Sequence, residues 1–201
     1  MDILRKIERH REEEQKLKWE GTFAQYLELV KEKPHIAQSA HSRVYNMIKD
    51  AGIETVNGKN EYQFFSDQLF GLEDSLERLV EEYFHPAAKR LDVRKRILLL
   101  MGPVGGGKST LVSMIKRGME QYSHTDNGAI FAIKDCPMHE DPLHLIPQHL
   151  RGDFFDEYGI RIEGNLSPLN MMRLEQEYGG RIEDVLVERI FLSEDKRVGI
   201  G

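Results

Sequence analysis

The sequence predicts an α/β fold in which helices flank a parallel sheet, preceded by an N-terminal helical module. Residues 97–101 form a short aliphatic run, which is typical of a strand buried on both faces. A glycine-rich loop, residues 102–109, follows at once, and residues 110–115 then show the apolar spacing of a helix. This order of strand, loop and helix places the loop at the carboxyl end of a parallel strand.

The glycine-rich loop reads GPVGGGKS and fits the phosphate-loop (P-loop, Walker A) pattern G-x-x-x-x-G-K-[ST] at every fixed position. A triphosphate is wrapped by backbone N–H groups, so the loop needs residues that lack side chains and can adopt positive φ. Gly105, Gly106 and Gly107 meet both needs. The helix that follows directs its unpaired N–H groups and the positive end of its dipole at the same anion. The flanking strand and helix disfavour an accidental glycine-rich turn.

Two side chains of the loop have defined partners in this pattern. Lys108 reaches the β- and γ-phosphates and is the predicted catalytic residue, and Ser109 offers its hydroxyl to Mg²⁺. The predicted chemistry is that of a P-loop NTPase. The predicted cofactor-binding residues in and beside the loop are Gly102, Pro103, Val104, Gly105, Gly106, Gly107, Lys108, Ser109 and Thr110.

The composition argues against several classes of partner. No apolar run is long enough to span a membrane, and the charged N-terminus lacks the pattern of a signal peptide. A net charge of −6, with acidic and basic residues interspersed, argues against a nucleic-acid partner. The single cysteine, Cys136, excludes an internal disulfide and fits a reducing cytoplasm. We therefore expect a cytoplasmic protein.

A small helical module is predicted ahead of the loop, over residues 1–56. An Asn-Gly turn at residues 57–60 marks its boundary, so residues 57–201 are expected to form the nucleotide domain. The helices predicted in the module are residues 1–20, a helix capped by Thr22 and stopped by Pro34, and residues 36–50.

The Phe-Gly-Leu corner at residues 70–72 opens a helix ahead of the P-loop and resembles the adenine-side element of AAA+ ATPases. Phe70 and Gly71 are therefore added to the predicted cofactor-binding residues. Over essentially all 201 residues, the chain resembles the bacterial PrkA family. The stretches that carry this resemblance are residues 64–91, 96–120, 136–143 and 164–194.

That family is described as cytoplasmic serine/threonine protein kinases with an AAA+ nucleotide domain towards the N-terminus, associated with stationary-phase, stress or sporulation physiology. The resemblance implies ATP as the nucleotide, a protein substrate, and a chain that is the N-terminal portion of a longer kinase. Two alternatives stay open. One is an AAA+ ATPase, acting as a homo-oligomer, that drives protein remodelling or ATP-dependent proteolysis. The other is a nucleotide-dependent docking module without turnover.

The half of the site that hydrolyses ATP is expected outside this chain. Residues 129–133 are predicted to form a second buried strand, and Asp135 follows it. Asp135 is one interpretation of the Mg²⁺-organising carboxylate. Its position disfavours this role, because AAA+ proteins carry that carboxylate one strand further along. No aliphatic strand ending in Asp-Glu follows before Gly201.

A cluster of histidines and carboxylates after the second strand raises a metal-site alternative. The zincin pattern needs two histidines four residues apart on one helical face, which His139 and His144 do not satisfy, and Pro142 lies between them. A polar, extended loop near the nucleotide is favoured instead. The residues considered as ligands are His139, Glu140, Asp141, His144 and His149.

Two helices are predicted near the end of the chain. The first runs from Ser167-Pro168 to Gly179-Gly180, and the second begins near Ile182 and includes Arg189. Arg189 is interpreted as a solvated residue of this second helix rather than as an arginine finger.

Overall fold

The computed structural model describes residues 3–56, 58–89, 98–103 and 105–199, without the side chains of residues 10 and 13. Across these ranges, no helix is both long and apolar enough to cross a membrane. The α-helices are α1 (Ile3–Leu17), α2 (Phe23–Glu32), α3 (Ala40–Asp50), α4 (Glu73–Arg78), α5 (His85–Ala88), α6 (Lys108–Ser123), α7 (Arg151–Tyr158) and α8 (Pro168–Tyr178), and a π-helix (Leu79–Phe84) connects α4 to α5. The strands are β1 (Glu20–Thr22), β2 (Ile53–Val56), β3 (Lys59–Tyr62), β4 (Ile130–Ile133) and β5 (Leu186–Ile190).

Helices α2 and α8 begin where the sequence predicts helices to begin, and each has an N-cap residue. Thr22 N donates to Gln25 Oε1 at 2.8 Å and Gln25 N donates to Thr22 Oγ1 at 3.3 Å, which completes a capping box. Ser167 caps α8 through Asn170 N, and Gly179 ends that helix with a φ of 60°. Both predicted helices are confirmed.

One compact unit combines Met1–Ala37 with Ser123–Gly201. Its sheet has the order β1-β5-β4, and Val187 in the central strand pairs with Gly21 on one side and with Ile133 on the other. Helix α2 packs on this sheet, and the buried residues of both elements form one core together with residues from other segments of the unit. The core residues are Phe23, Tyr26, Val30, Ile36, Ala129, Phe131, Ile133, Cys136, Leu143, Leu145, Ile146, Phe154, Val185 and Val187.

The sheet differs from the predicted one in direction and in one of its strands. Every pair of strands among the described residues is antiparallel, so the parallel sheet is not found there. The strand predicted at residues 129–133 is confirmed as β4, but the helix predicted from Ile182 onwards is wrong, because residues 186–190 form β5. An apolar stretch as short as residues 186–190 fits both the helical and the strand periodicity. It forms a strand here because it hydrogen-bonds to a neighbouring strand on each edge.

The strand predicted just before the P-loop is also not observed. Residues 98–101 have no regular secondary structure, and residue 97 lies outside the described ranges. Leu99 and Met101 are 76% and 82% exposed, whereas a buried strand was expected. A central strand needs hydrogen-bonded neighbours and covered faces. None of the described strands pairs with these residues.

The second compact unit is Gln38–Tyr122, which contains the hairpin of β2 and β3 and helices α3 to α5, together with nearly all of α6. Helix α6 approaches its neighbours closely at Gly118. A Cβ at this position would lie 2.6 Å from the Phe64 ring and 2.8 Å from Met47 Sδ. The absence of a side chain therefore lets α6, whose N-terminus carries the P-loop, lie directly on this core.

These two compact units divide the chain differently from the predicted domains. The observed divisions fall after Ala37 and after Tyr122. Strands β1 and β2 lie within residues 1–56, which the sequence predicts to be helical. The boundary between residues 1–56 and 57–201 stays a prediction about independently folding domains.

Candidate nucleotide-binding site

The glycine-rich loop turns directly into α6. Gly105 and Gly107 have φ angles of 81° and 76°, which residues with a Cβ rarely adopt. Gly106 N donates to Pro103 O at 3.2 Å, and Leu111 N donates to Gly107 O at 2.8 Å, which starts the helix. The backbone therefore requires glycine at two of the three consecutive glycine positions.

The Lys108 ammonium folds back over the loop. Its Nζ donates to Gly102 O at 2.8 Å and to Pro103 O at 2.6 Å. Lys108 is half-buried, while both residues that accept from it are exposed. One full positive charge thus lies at the helix N-terminus, where the dipole also favours an anion.

A cleft of about 640 Å³ lies in front of the loop and the first turn of α6. Small-molecule sites commonly occupy roughly 300–1,000 Å³, so this volume suits a ligand of nucleotide size. Ser109 borders the cleft and is exposed. The lining residues are Gln68, Leu69, Phe70, Leu72, Gly105, Gly106, Gly107, Lys108, Ser109 and Thr110.

The Phe-Gly-Leu corner contributes an aromatic wall to this cleft. Phe70 lines it and is 76% exposed, which is unusual for a phenylalanine in a folded chain. Gly71 has a φ of 72°, and its N–H donates to Glu73 Oε1 at 2.8 Å. Gly71 turns the chain rather than lining the cleft.

The structure therefore brings most of the predicted cofactor-binding residues together. Phe70 and residues 105–110 share one cleft, and Gly102 and Pro103 contact the lysine of that cleft. Gly71 is not among the lining residues, and Val104 lies outside the described residues.

Three residues line the cleft that the sequence argument did not select: Gln68, Leu69 and Leu72. The leucines flank Phe70 and Gly71 directly, so the apolar run at residues 69–72 was the available signal. Gln68 carried no signal that distinguished it from a surface residue.

In the other compact unit, the Glu140 carboxylate is buried at the start of α8. Its Oε1 accepts from Ser167 N at 2.7 Å and lies 3.1 Å from His144 Nδ1. Its Oε2 accepts from Ser167 Oγ at 2.6 Å and from Asn170 Nδ2 at 2.5 Å. Burial alone would raise the pKa of Glu140, but these hydrogen bonds outweigh it and the pKa lies below its ordinary value. Donors from the chain itself hold both oxygens.

The metal-site alternative gains no support where the structure describes the chain. No group of three or more His, Cys, Asp or Glu side chains there could hold a metal ion. Glu140 and His144 instead contact each other. His149 is exposed, and Asp141 Oδ1 accepts from Leu143 N at 2.9 Å, which caps a short 3₁₀ turn.

Asp135 and Arg189 also have defined positions. Asp135 is exposed in the turn after β4, where its φ is 57°. Arg189 lies on β5 with its side chain only 7% exposed, so the prediction that it is solvated was wrong. Its Nη2 donates to Thr125 O at 2.8 Å and to Ser123 O at 3.2 Å, and burial lowers its pKa. This guanidinium is engaged within the fold.

Comparison with known proteins places the chain in a family. The family described as the PrkA AAA domain matches residues 21–201. ATP-dependent protease PrkA of Bacillus subtilis (strain 168) is 78% identical over 201 residues, which is 100% of this chain and 32% of that protein. Serine/threonine kinase YeaG of Escherichia coli (strain K12) is 35% identical over 142 residues, which is 67% of this chain and 21% of that protein.

No solved structure is significantly similar to the chain. The chain spans 32% of the length of the Bacillus subtilis relative, so similarity to that protein concerns one part of it. The family match covers most of the chain and includes the P-loop, the Phe-Gly-Leu corner and the Glu140 network. The chain belongs to the PrkA AAA domain family.

Proposed function

We propose that this chain binds ATP together with Mg²⁺ in the cleft in front of the P-loop. The observation that carries the proposal is a single cleft lined by Lys108, Ser109, the loop glycines and an exposed phenylalanine. Membership of an AAA domain family supports ATP as the nucleotide.

Each part of ATP has a group of suitable chemistry in this cleft. The N–H groups of Gly105 and of residues 107–110 suit the phosphates, and so does Lys108 Nζ, which would give up its two carbonyl acceptors to bind them. The exposed Ser109 hydroxyl suits Mg²⁺, and the Phe70 ring offers a surface on which a base stacks. The described lining contains no carboxylate that would repel an anionic ligand.

Calorimetric titration with ATP and Mg²⁺ tests the proposal. We expect Lys108→Ala to weaken ATP binding by about a hundredfold, because a charged hydrogen-bonding group is worth up to about 3 kcal/mol. Lys116→Ala is the matched control, since it removes the same side chain from the same helix outside the cleft. Equal ATP affinity in wild type and Lys108→Ala, at equal thermal stability, would refute the site.

We further propose two candidate uses of the bound ATP, each suggested by a relative of which this chain spans 32% or less. Transfer of phosphate to serine or threonine in a protein substrate is supported by the name of the Escherichia coli relative. ATP-dependent proteolysis is the second candidate, and the name of the Bacillus subtilis relative supports it at the higher identity. We place either activity in the bacterial cytoplasm during stress, stationary phase or sporulation.

One assay on the full-length protein separates these candidates. Casein is incubated with the protein and ATP labelled at the γ-phosphate, and three quantities are followed: the label on casein, the free phosphate released and the amount of intact casein. Labelled casein indicates a kinase, and ATP-dependent loss of casein indicates a protease. ATP binding without phosphate release or either change indicates a nucleotide-dependent docking module. Lys108→Ala is expected to abolish whichever activity is seen.

A further inference from the structure

Residues 69–72 comprise Leu69 and the Phe-Gly-Leu corner and are together called the corner below. Their side chains differ widely in exposure. Leu69 is buried, with 6% of its surface exposed, whereas its neighbour Phe70 is 76% exposed in the cleft. The positive φ of Gly71 then reverses the chain, and Leu72 is half-buried at the start of α4. Phe70 therefore has the most exposed side chain of the corner.

The two leucines of this corner meet the P-loop at Gly107. A methyl group placed on Gly107 Cα would lie 3.0 Å from Leu69 Cδ2 and 3.3 Å from Leu72 Cδ1. Both distances are shorter than an ordinary van der Waals contact between carbon atoms, about 3.5–4.0 Å. The leucine side chains therefore pack against the one face of Gly107 from which a side chain is missing.

The corner itself is held in place by backbone hydrogen bonds. Leu69 N donates to Phe65 O at 3.1 Å, and Leu76 N donates to Leu72 O at 2.9 Å. Gly71 N donates to Glu73 Oε1 at 2.8 Å. The backbone of Leu69 is therefore held by the preceding turn, and the backbone of Leu72 is held by α4.

We infer that Leu69 and Leu72 are positioning residues that hold the P-loop in its anion-binding conformation. The inference rests on the proposed ATP site and deepens it. A loop of three consecutive glycines is the most flexible kind of backbone, and its N–H groups bind phosphate only while they converge. Packing on Gly107 limits that freedom, so less ordering is needed when the anion binds. The leucine side chains have no hydrogen-bond donor to offer a phosphate, so their effect on phosphate binding is expected to act through the loop backbone.

Inorganic tripolyphosphate is the probe, because it has the phosphates of ATP without a base or a sugar. We expect Leu69→Ala and Leu72→Ala each to weaken its binding by about tenfold, which corresponds to 1.4 kcal/mol. Leu72 is only half-buried, so its alanine variant is expected to stay folded. Leu69→Met keeps the side-chain volume and is expected to restore most of the affinity.

Leu76→Ala is the control, since it empties a buried leucine site of α4 that does not line this cleft. It is expected to lower the melting temperature while leaving tripolyphosphate affinity unchanged. The inference is overturned if folded Leu72→Ala binds tripolyphosphate as tightly as wild type does, or if Leu76→Ala loses as much affinity as the corner variants. With intact ATP binding in wild type, either result leaves the proposed ATP site standing. Failure of the wild-type chain to bind ATP would overturn both.

Discussion

Two helix N-termini in this chain present the same chemistry and use it differently. At α8, the N-cap Ser167 and the first-turn Asn170 donate to a buried carboxylate that the chain supplies from Glu140. At α6, the loop glycines and Lys108 lie open to a cleft, and no carboxylate is among the described residues that line it. The helix whose anion comes from its own chain is structural, and the helix that lacks one is suited to a ligand.

The Glu140 site and the P-loop are expected to affect different quantities, the first the stability of the fold and the second the affinity for a ligand. The donor Asn170 is buried and the donors Ser167 and His144 are half-buried, so removing their acceptor leaves them largely unsatisfied in an interior of low polarity. The donors around the P-loop remain in contact with water when no ligand is bound. Damage to the first site is therefore expected to lower the free energy of unfolding, and damage to the second to lower ligand affinity.

The strongest test of the comparison is Glu140→Ala. We expect it to lower the free energy of unfolding by about 3 kcal/mol, since one buried anion and its four hydrogen-bond contacts are lost together. Urea unfolding followed by circular dichroism measures the change, with Glu175→Ala on the exposed surface of α8 as control. A loss below about 1 kcal/mol would contradict a structural role for the buried carboxylate.

Phe70→Ala tests the second of the two sites, the cleft at the N-terminus of α6. We expect about a tenfold loss of ATP affinity, because base–aromatic stacking contributes about 1–3 kcal/mol. Tripolyphosphate, which has no base, is expected to bind this variant as it binds wild type. Phe155→Ala removes another exposed phenylalanine, from α7, and should change neither affinity. If the variant lost equal affinity for ATP and for tripolyphosphate, Phe70 would act by supporting the loop and not by stacking on the base.

Ser167→Ala refines the interior site. It removes the Ser167 hydroxyl, which is both the N-cap oxygen of α8 and a donor to Glu140, and it retains the backbone N–H donor. We expect a loss of about 1 kcal/mol in the free energy of unfolding. Ser113→Ala on the exposed face of α6 serves as the matched control, and the two variants should unfold at clearly different urea concentrations.

The smallest expected effect is the dependence of stability on pH. The pKa of Glu140 lies below its ordinary value of 4.5 in the folded chain. Its contribution to stability is therefore complete above the ordinary pKa and is lost as the pH falls from there through the folded pKa. Unfolding curves between about pH 3 and pH 6 should lose part of this acid sensitivity in Glu140→Gln. If the variant loses stability at low pH as much as wild type does, the acid sensitivity belongs to other carboxyl groups.

Predictions that depended on neighbouring residues agreed with the structure. The capping box of α2 joins residues three apart, and the same spacing joins Ser167 to Asn170 in α8. The helix after the P-loop follows equally short-range rules. Interactions between residues so close in sequence form wherever the segment is placed, so they can be recognised from the sequence.

Several predictions that depended on distant residues failed, and others were not made. Residues 186–190 became the central strand because β1 and β4 pair with them from far along the chain. Glu140 was weighed as a metal ligand, although its partner Ser167 lies 27 residues away. No local pattern announced that pairing.

The sequence by itself predicted the position of an anion-binding site. A run of glycines followed by lysine, serine and a helix specifies backbone freedom and charge locally. The sequence also carried the family resemblance. The tertiary structure alone decided which strands pair, which leucines lie against Gly107, and which helix N-terminus already holds a carboxylate. These outcomes depend on contacts between residues far apart in the chain, and only the packed fold selects among the contacts that such residues could make.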